Sequence, residues 1–143
     1  MFSRVWLMRI ALLWTAAIVI GSFLPTQVKQ AIGTEAHSSH AAEQRRAYIR
    51  HRAGHLIAFG IDAFLFAVAS TKKTHRFYYF LFTVWLGLVI EYMQHAISGF
   101  RLEHEDLRDD TVAAAVGCAL GSLLASRLFT KPNARAEEPI SFQ

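Results

Sequence analysis

The chain has 143 residues, a formal net charge of +4 and a hydrophobic fraction of 53%, and this length accommodates a single domain. Its apolar residues come in long blocks, which excludes an ordinary water-soluble domain and predicts membrane spans. The basic residues stand in short clusters without a stacking platform, which argues against nucleic-acid binding and favours anionic lipid headgroups as partners.

Taken in chain order, four apolar blocks are long enough to cross a hydrocarbon core of about 30 Å. They are residues 5–24, 53–70, 77–95 and 111–129. Pro25 ends the first block, and the basic turn TKKTHR joins the second block to the third, which predicts a helical hairpin. The first block could instead be a signal peptide, but it exceeds the usual apolar length of about 7–15 residues and no A-x-A cleavage site follows closely.

We therefore predict an all-α fold, a polytopic membrane protein with four transmembrane helices in a compact bundle. A single domain is expected over residues 1–130, followed by a polar, disordered tail over residues 131–143. Four spans place both termini on one side of the membrane. The basic turn between the second and third spans and the acidic third loop favour a cytoplasmic location for the termini.

The first loop and the cysteine of the fourth block each support a prediction. From Ser39 onward the loop pattern predicts an amphipathic helix at the membrane interface. The loop histidines His37 and His40 lack a third ligand, so a solvated loop is expected and no metal or other cofactor is predicted. Cys118, the only cysteine, lies mid-span and is expected to be a small packing group.

The fourth block carries small residues at four-residue intervals: Ala113, Gly117, Gly121 and Ala125. On a helix these positions form one face without bulk. This face predicts close packing against a neighbouring helix.

Ionisable residues inside the spans carry the strongest functional signal, because each is costly in a membrane unless it is paired, hydrated or neutral. Glu91 and Gln94 share a helical face at the end of the third span, and His55 lies at the start of the second. Because consecutive spans alternate in direction, these ends meet at one membrane surface. The third loop brings Arg101 to the same surface, together with Asp110, which is expected at the N-terminus of the fourth helix.

Two interpretations stay open for the deeper residues, since Asp62 and Arg9 either pair with each other or face a hydrated crevice.

The residues that meet at the membrane surface suggest two kinds of chemistry. A histidine beside a carboxylate supports acid–base chemistry, and an arginine with a histidine binds a phosphate or carboxylate of an amphiphile. The structural alternative is that Glu91 only fixes helix packing through His55 or Arg101. The sequence contains no H-E-x-x-H, G-x-S-x-G or P-loop motif.

The segments HRAGHLIAFGIDAFL (51–65), EYMQ (91–94) and VGCALG (116–121), with the arginine and aspartates between them, resemble the VanZ-like family of small bacterial membrane proteins. The resemblance covers about residues 50–125. Two positions depart from the family pattern. The Asp-Lys pair often found shortly before the family's histidine is His51 and Arg52 here, and the Asn often found four residues after its aspartate is Ala114.

The resemblance assigns the family's histidine, glutamate, glutamine and arginine to His55, Glu91, Gln94 and Arg101. Its aspartate falls on Asp110 when counted from the glycines and on Asp106 when counted from Arg101. Asp110 is preferred, because helical spacing tolerates less slippage than a loop.

The resemblance implies a protein of the bacterial inner membrane, in a family associated with low-level resistance to the glycopeptide teicoplanin. We expect a polar pocket at one membrane face that binds an envelope amphiphile or a lipid-linked species through His55, Glu91, Gln94, Arg101 and Asp110. One alternative is an enzyme acting on a lipid headgroup, with His55 or Glu91 as acid or base. The other is a small proton-coupled carrier that uses Asp62 and Arg9.

Overall fold

The computed structural model describes residues 3–24, 41–98 and 104–129, and all regular structure within them is α-helical. The four helices are α1 (Arg4–Ser22), α2 (Ala41–Ala69), α3 (Lys73–Ser98) and α4 (His104–Phe129). No strand occurs in these three ranges, which confirms the predicted all-α fold. The loop histidines His37 and His40 and the tail 131–143 lie outside the described residues.

The helices α2, α3 and α4 begin before their apolar blocks, because polar flanking residues continue them. α2 begins at Ala41, so the predicted interfacial helix and the second span form one continuous helix. α4 begins at His104, with Glu105 and Asp106 in its first turn, where carboxylates interact favourably with the helix dipole. Asp110 therefore lies inside α4, which corrects its predicted position at the helix N-terminus.

Each helix contains a stretch long and apolar enough to cross a membrane: Arg4–Ser22, Tyr48–Ala69, Lys73–Ile97 and Glu105–Phe129. The shortest of these has 19 residues and is about 28 Å long at about 1.5 Å per residue. Large apolar side chains face outward along all four helices, among them Leu13, Ile57, Ile97 and Leu123. So extensive an apolar exterior is unfavourable in water and suits contact with lipid.

The closest helix pair is α2 and α4, and the small-residue face of α4 lies in their interface. A Cβ atom built on Gly117 would overlap the carbonyl oxygen of Gly60, and one built on Gly121 would lie 2.5 Å from another α2 carbonyl oxygen. Ala113 and Ala125, the ends of the same face, are buried. Because glycine has no Cβ atom, the backbones of α2 and α4 can approach this closely.

α1 and α3 complete the packing around α2. A buried apolar core joins the three helices through Ile18, Phe59, Leu86 and Ile90. α1 packs mainly against α2 and makes few contacts with α3. The helix most weakly tied to the others is thus α1, which places most of its surface on the outside.

Contacts at the two ends show that successive helices alternate in direction. At one end, Arg4 Nη1 donates a hydrogen bond to the Ser70 carbonyl at 3.1 Å, and the same guanidinium lies 4.0 Å from the centroid of the Phe129 ring. At the other end, Gln94 Nε2 donates to the Ser22 carbonyl at 3.0 Å. The second end, where α1 and α3 finish, is the one that gathers the polar residues.

Candidate functional site

Four polar side chains from three helices meet near the end where α1 and α3 finish. His55 of α2, Glu91 of α3 and Asp106 of α4 each present one potential metal-ligating atom, and the three atoms lie within 4.8 Å of one another. Asp110, one turn further along α4, places Oδ2 3.3 Å from His55 Nδ1. These four residues are called the carboxylate–histidine cluster below.

The three carboxyl groups of the carboxylate–histidine cluster are buried, and His55 is half-buried. Glu91, Asp106 and Asp110 are 7%, 2% and 1% exposed. Among the described residues, Asp110 Oδ1 has no hydrogen-bond partner. Removing several carboxylates from water without compensation costs several kcal/mol for each ion, by the usual order of magnitude. The arrangement therefore calls for positive charge, shared protons or a bound ligand.

The helix register explains why this end of the bundle holds the carboxylates. Asp110 continues the face of α4 that packs against α2, one turn before the small residues begin. Gly87 of α3 provides the space, since a Cβ atom there would lie 3.3 Å from Asp110 Oδ2 and 3.5 Å from the Phe59 ring. Phe59 stacks in turn on the His55 ring, with centroids 5.9 Å apart. The cluster thus rests directly on the apolar core.

A network of ion pairs and hydrogen bonds lies one helical turn further toward the N-termini of α2 and α4. Arg52 Nε donates to Asp109 Oδ2 at 2.7 Å, and Arg52 Nη2 donates to the same oxygen. The Tyr48 hydroxyl donates to Glu105 Oε2 at 2.9 Å, and Arg108 Nη2 lies 3.3 Å from Asp109 Oδ1. Two arginines and two carboxylates offset each other here, so this network is close to neutral.

The described members of the carboxylate–histidine cluster are three carboxyl groups and one histidine. Arg52, one turn before His55, is held by Asp109 in the outer network. Arg101, expected to hold an anion, lies outside the described residues. By themselves, the carboxyl groups of the described residues attract a cation, a proton or a hydrogen-bond donor.

Gln94, another member of the predicted pocket, contacts α1. Gln94 uses its amide nitrogen to satisfy the Ser22 carbonyl, one of the acceptors left over where α1 ends. It therefore ties α3 to α1. Asp106 and Asp110, the two alternatives for the family's aspartate, both belong to the carboxylate–histidine cluster.

Asp62 lies deeper in the bundle and is fully buried. Thr15 Oγ1 is 2.7 Å from its Oδ1, and Thr83 Oγ1 donates to its Oδ2 at 3.0 Å. Arg9 is exposed and lies over the Trp6 ring, 5.2 Å from the centroid. In the part of the chain that the structure describes, Arg9 and Asp62 thus form no pair. Thr15 lies six positions after Arg9 in α1, which puts the two side chains on different faces.

A groove of about 450 Å³ opens between α3 and α4 toward the opposite end of the bundle. Its walls are mainly apolar, and they include Phe77, Phe80 and Cys118. Lys73 and Arg76 supply its positive charge. The apolar wall suits the acyl chain of an anionic amphiphile, and the nearby cations suit its charged headgroup.

Sequence reasoning missed the residues that act through packing or through hydroxyl groups. Thr15 and Thr83 looked like ordinary residues of apolar spans, and only their partner Asp62 was singled out. Gly60 and Gly87 carry a weak signal, because a glycine inside a helical pattern often marks close approach. Their partners lie on other helices, so the sequence alone does not identify them.

Comparison with protein-family models, with curated proteins and with solved structures found no match to this chain. The likeness to the VanZ-like family therefore rests on the short motifs around His55, Glu91 and Gly117.

Proposed function

We propose that this chain is a multi-pass membrane protein whose carboxylate–histidine cluster binds the headgroup of an envelope amphiphile. The observation that carries the proposal is the burial of three carboxyl groups beside the half-buried His55, where α2, α3 and α4 meet. Ionisable groups at such depth are expensive and mark functional sites by default. The four long apolar helices and their apolar exterior support the membrane location. The family resemblance supports the inner membrane of a bacterium.

The charge of the cluster narrows the headgroup chemistry. Three carboxylates accept hydrogen bonds from hydroxyl or amino groups and attract ammonium groups, and they repel a bare phosphate. A lipid-linked sugar or amino sugar fits this preference. An anionic headgroup fits only when a cation stands between it and the carboxylates.

The groove between α3 and α4 supports a separate contact with anionic membrane lipid. Lys73 and Arg76 attract a phosphate, while Phe77 and Phe80 contact an acyl chain. This contact lies toward the opposite end of α3 from Glu91, so it does not compete with the cluster for the same headgroup.

The proposal is tested by identifying what the purified protein retains. Wild-type protein, Glu91→Gln and the matched control Glu105→Gln are purified in a mild detergent, and bound species are identified by native mass spectrometry and lipid extraction. Glu105 is exposed and lies in the outer network, so its variant changes the same side chain outside the cluster. A species retained by the wild type and the control, and lost from Glu91→Gln, is expected. Identical bound species in all three monodisperse proteins would contradict the proposal.

A second candidate function is a membrane enzyme that performs acid–base chemistry on the headgroup. The approach of His55 Nδ1 to Asp110 Oδ2 at 3.3 Å favours it, because a carboxylate orients a histidine and stabilises its protonated form. Glu91 lies beside this pair. Incubation with an envelope lipid extract should then give a product that is absent with His55→Gln. Unchanged extract would leave binding as the function.

The contacts of Asp62 and Arg9 do not favour the hypothesis of a proton-coupled carrier. Asp62 is enclosed and bonded by two threonines, and Arg9 lies on the exterior. These contacts give Asp62 a role in joining α1, α2 and α3.

A further inference from the structure

The three residues His55, Glu91 and Asp106 form a set of ligands that the sequence did not predict to bind metal. Each comes from a different helix, and the three potential ligand atoms lie within 4.8 Å of one another. Atoms bound to one metal ion at about 2.0–2.2 Å lie about 3.3–3.6 Å apart in a tetrahedral site. Separations of up to 4.8 Å therefore require side-chain rotations that bring the ligand atoms together by up to about 1.5 Å.

A second observation comes from Asp110, which is 1% exposed and reaches the cluster through Oδ2. A histidine that binds a metal usually gives its other ring N–H to a carboxylate. With the proton on Nδ1, held by Asp110, the lone pair of His55 stands on Nε2. The remaining oxygen of Asp110, Oδ1, is buried without a hydrogen-bond partner among the described residues, so the side chain has unused acceptor capacity at this point.

The negative charges of the buried carboxyl groups also favour a bound metal ion. Glu91 and Asp106 are almost completely buried, and His55 of the same cluster carries at most one positive charge. One divalent cation neutralises two carboxylates. It thereby removes the cost of placing both charges in an apolar bundle.

We propose that His55, Glu91 and Asp106 bind one divalent transition-metal ion, with Asp110 orienting His55 from behind. One imidazole and two carboxylates suit Zn²⁺, Mn²⁺ or Fe²⁺. Three protein ligands leave at least one coordination position for a water molecule or for a ligand oxygen, as in catalytic zinc sites. The inference deepens the proposed function, since the ion supplies the positive charge that an anionic headgroup requires at this acidic site.

Metal binding is measured on the full chain in detergent, with no amphiphile added. Protein stripped with a chelator is titrated with Mn²⁺ or Zn²⁺ alone, and the bound metal is counted by elemental analysis after desalting. One ion per chain is expected for the wild type. The near-isosteric variants Glu91→Gln and Asp106→Asn should bind at least about tenfold more weakly. The control Glu105→Gln should bind like the wild type.

A spectroscopic measurement on the wild type tests the same site without requiring that any variant folds. Mn²⁺ bound at this site should show magnetic coupling to one histidine nitrogen in pulsed electron paramagnetic resonance. Mn²⁺ bound without nitrogen coupling, equal binding by all variants, or no bound ion would each overturn the inference. A bound ion with no retained amphiphile would leave the metal site standing and count against the headgroup proposal alone.

Discussion

At the scale of single residues, Asp62 shows how a buried carboxyl group is accommodated away from the candidate site. Thr15 Oγ1 lies 2.7 Å from Asp62 Oδ1 and 3.0 Å from the Ala11 carbonyl oxygen, and one hydroxyl proton serves only one of them. A neutral Asp62 satisfies both contacts, because it donates to Thr15 and Thr15 then donates to Ala11. Thr83 donates to the other carboxyl oxygen.

This geometry predicts that Asp62→Asn is tolerated, since an amide also donates to Thr15 and accepts from Thr83. Its unfolding free energy should stay within about 1 kcal/mol of the wild type. Asp62→Ala leaves the buried Thr83 hydroxyl without its partner and should cost about 1–3 kcal/mol. Thermal unfolding in detergent, followed by tryptophan fluorescence, measures both. An Asn variant as unstable as the Ala variant would show that Asp62 is needed as a charge.

The residue scale also shows what the sequence could and could not predict about the site. His55, Glu91 and an aspartate of α4 were predicted together, because ionisable residues stand out in apolar spans and the spans alternate in direction. Gln94 was grouped with them by helical spacing, yet its amide satisfies a carbonyl of α1. Spacing identifies the face of one helix, whereas the partner of that face depends on how the other helices pack.

At the scale of secondary-structure elements, the structure differs from the sequence-based prediction in where α2 and α4 begin. Four apolar blocks sufficed to predict four helices, but the sequence predicts a separate interfacial helix before the second block and a loop before the fourth. In the structure these two segments continue α2 and α4, which carries Arg52, Asp106 and Asp109 into the interface. Hydropathy alone could not predict this extension, because it reports where lipid is tolerated and not where the backbone stays helical.

Gly117→Ala tests the close approach of α2 and α4. The added methyl group would overlap the Gly60 backbone oxygen, so the helices must move apart, at a cost of about 1–3 kcal/mol or more. A lower unfolding temperature in detergent is expected. The matched control is Gly54→Ala on α2, where a Cβ atom meets nothing within 4 Å and helix propensity should add about 0.5–1 kcal/mol of stability. Equal stability of the two variants would refute the close contact.

At the scale of the whole molecule, the alternating helices divide the described ends into two groups. Arg4, Ser70 and Phe129 meet at one end, and the carboxylate–histidine cluster lies toward the other. In a membrane, the α2–α3 turn and the beginning of α1 should therefore face the same compartment. The N-terminus of α4 should face the opposite one.

Cysteine labelling in intact cells and in inverted vesicles measures this arrangement. In a Cys118→Ala background, Ser3→Cys and Thr71→Cys should react with a membrane-impermeant maleimide from the same side. Glu105→Cys should react from the other side. All three positions are exposed. Reaction of Ser3→Cys and Thr71→Cys from opposite sides would contradict the four-span topology.

The glycine contact between α2 and α4 also has a consequence for biogenesis. α3 is synthesised between the two helices, so the tightest interface in the bundle forms last, after α4 has left the ribosome and turned back beside α2. Until then, the Gly60 backbone and His55 remain on an uncovered surface of a nascent hairpin. The timing of α4 synthesis therefore sets how long this intermediate is exposed to lipid and to the quality-control proteases of the membrane.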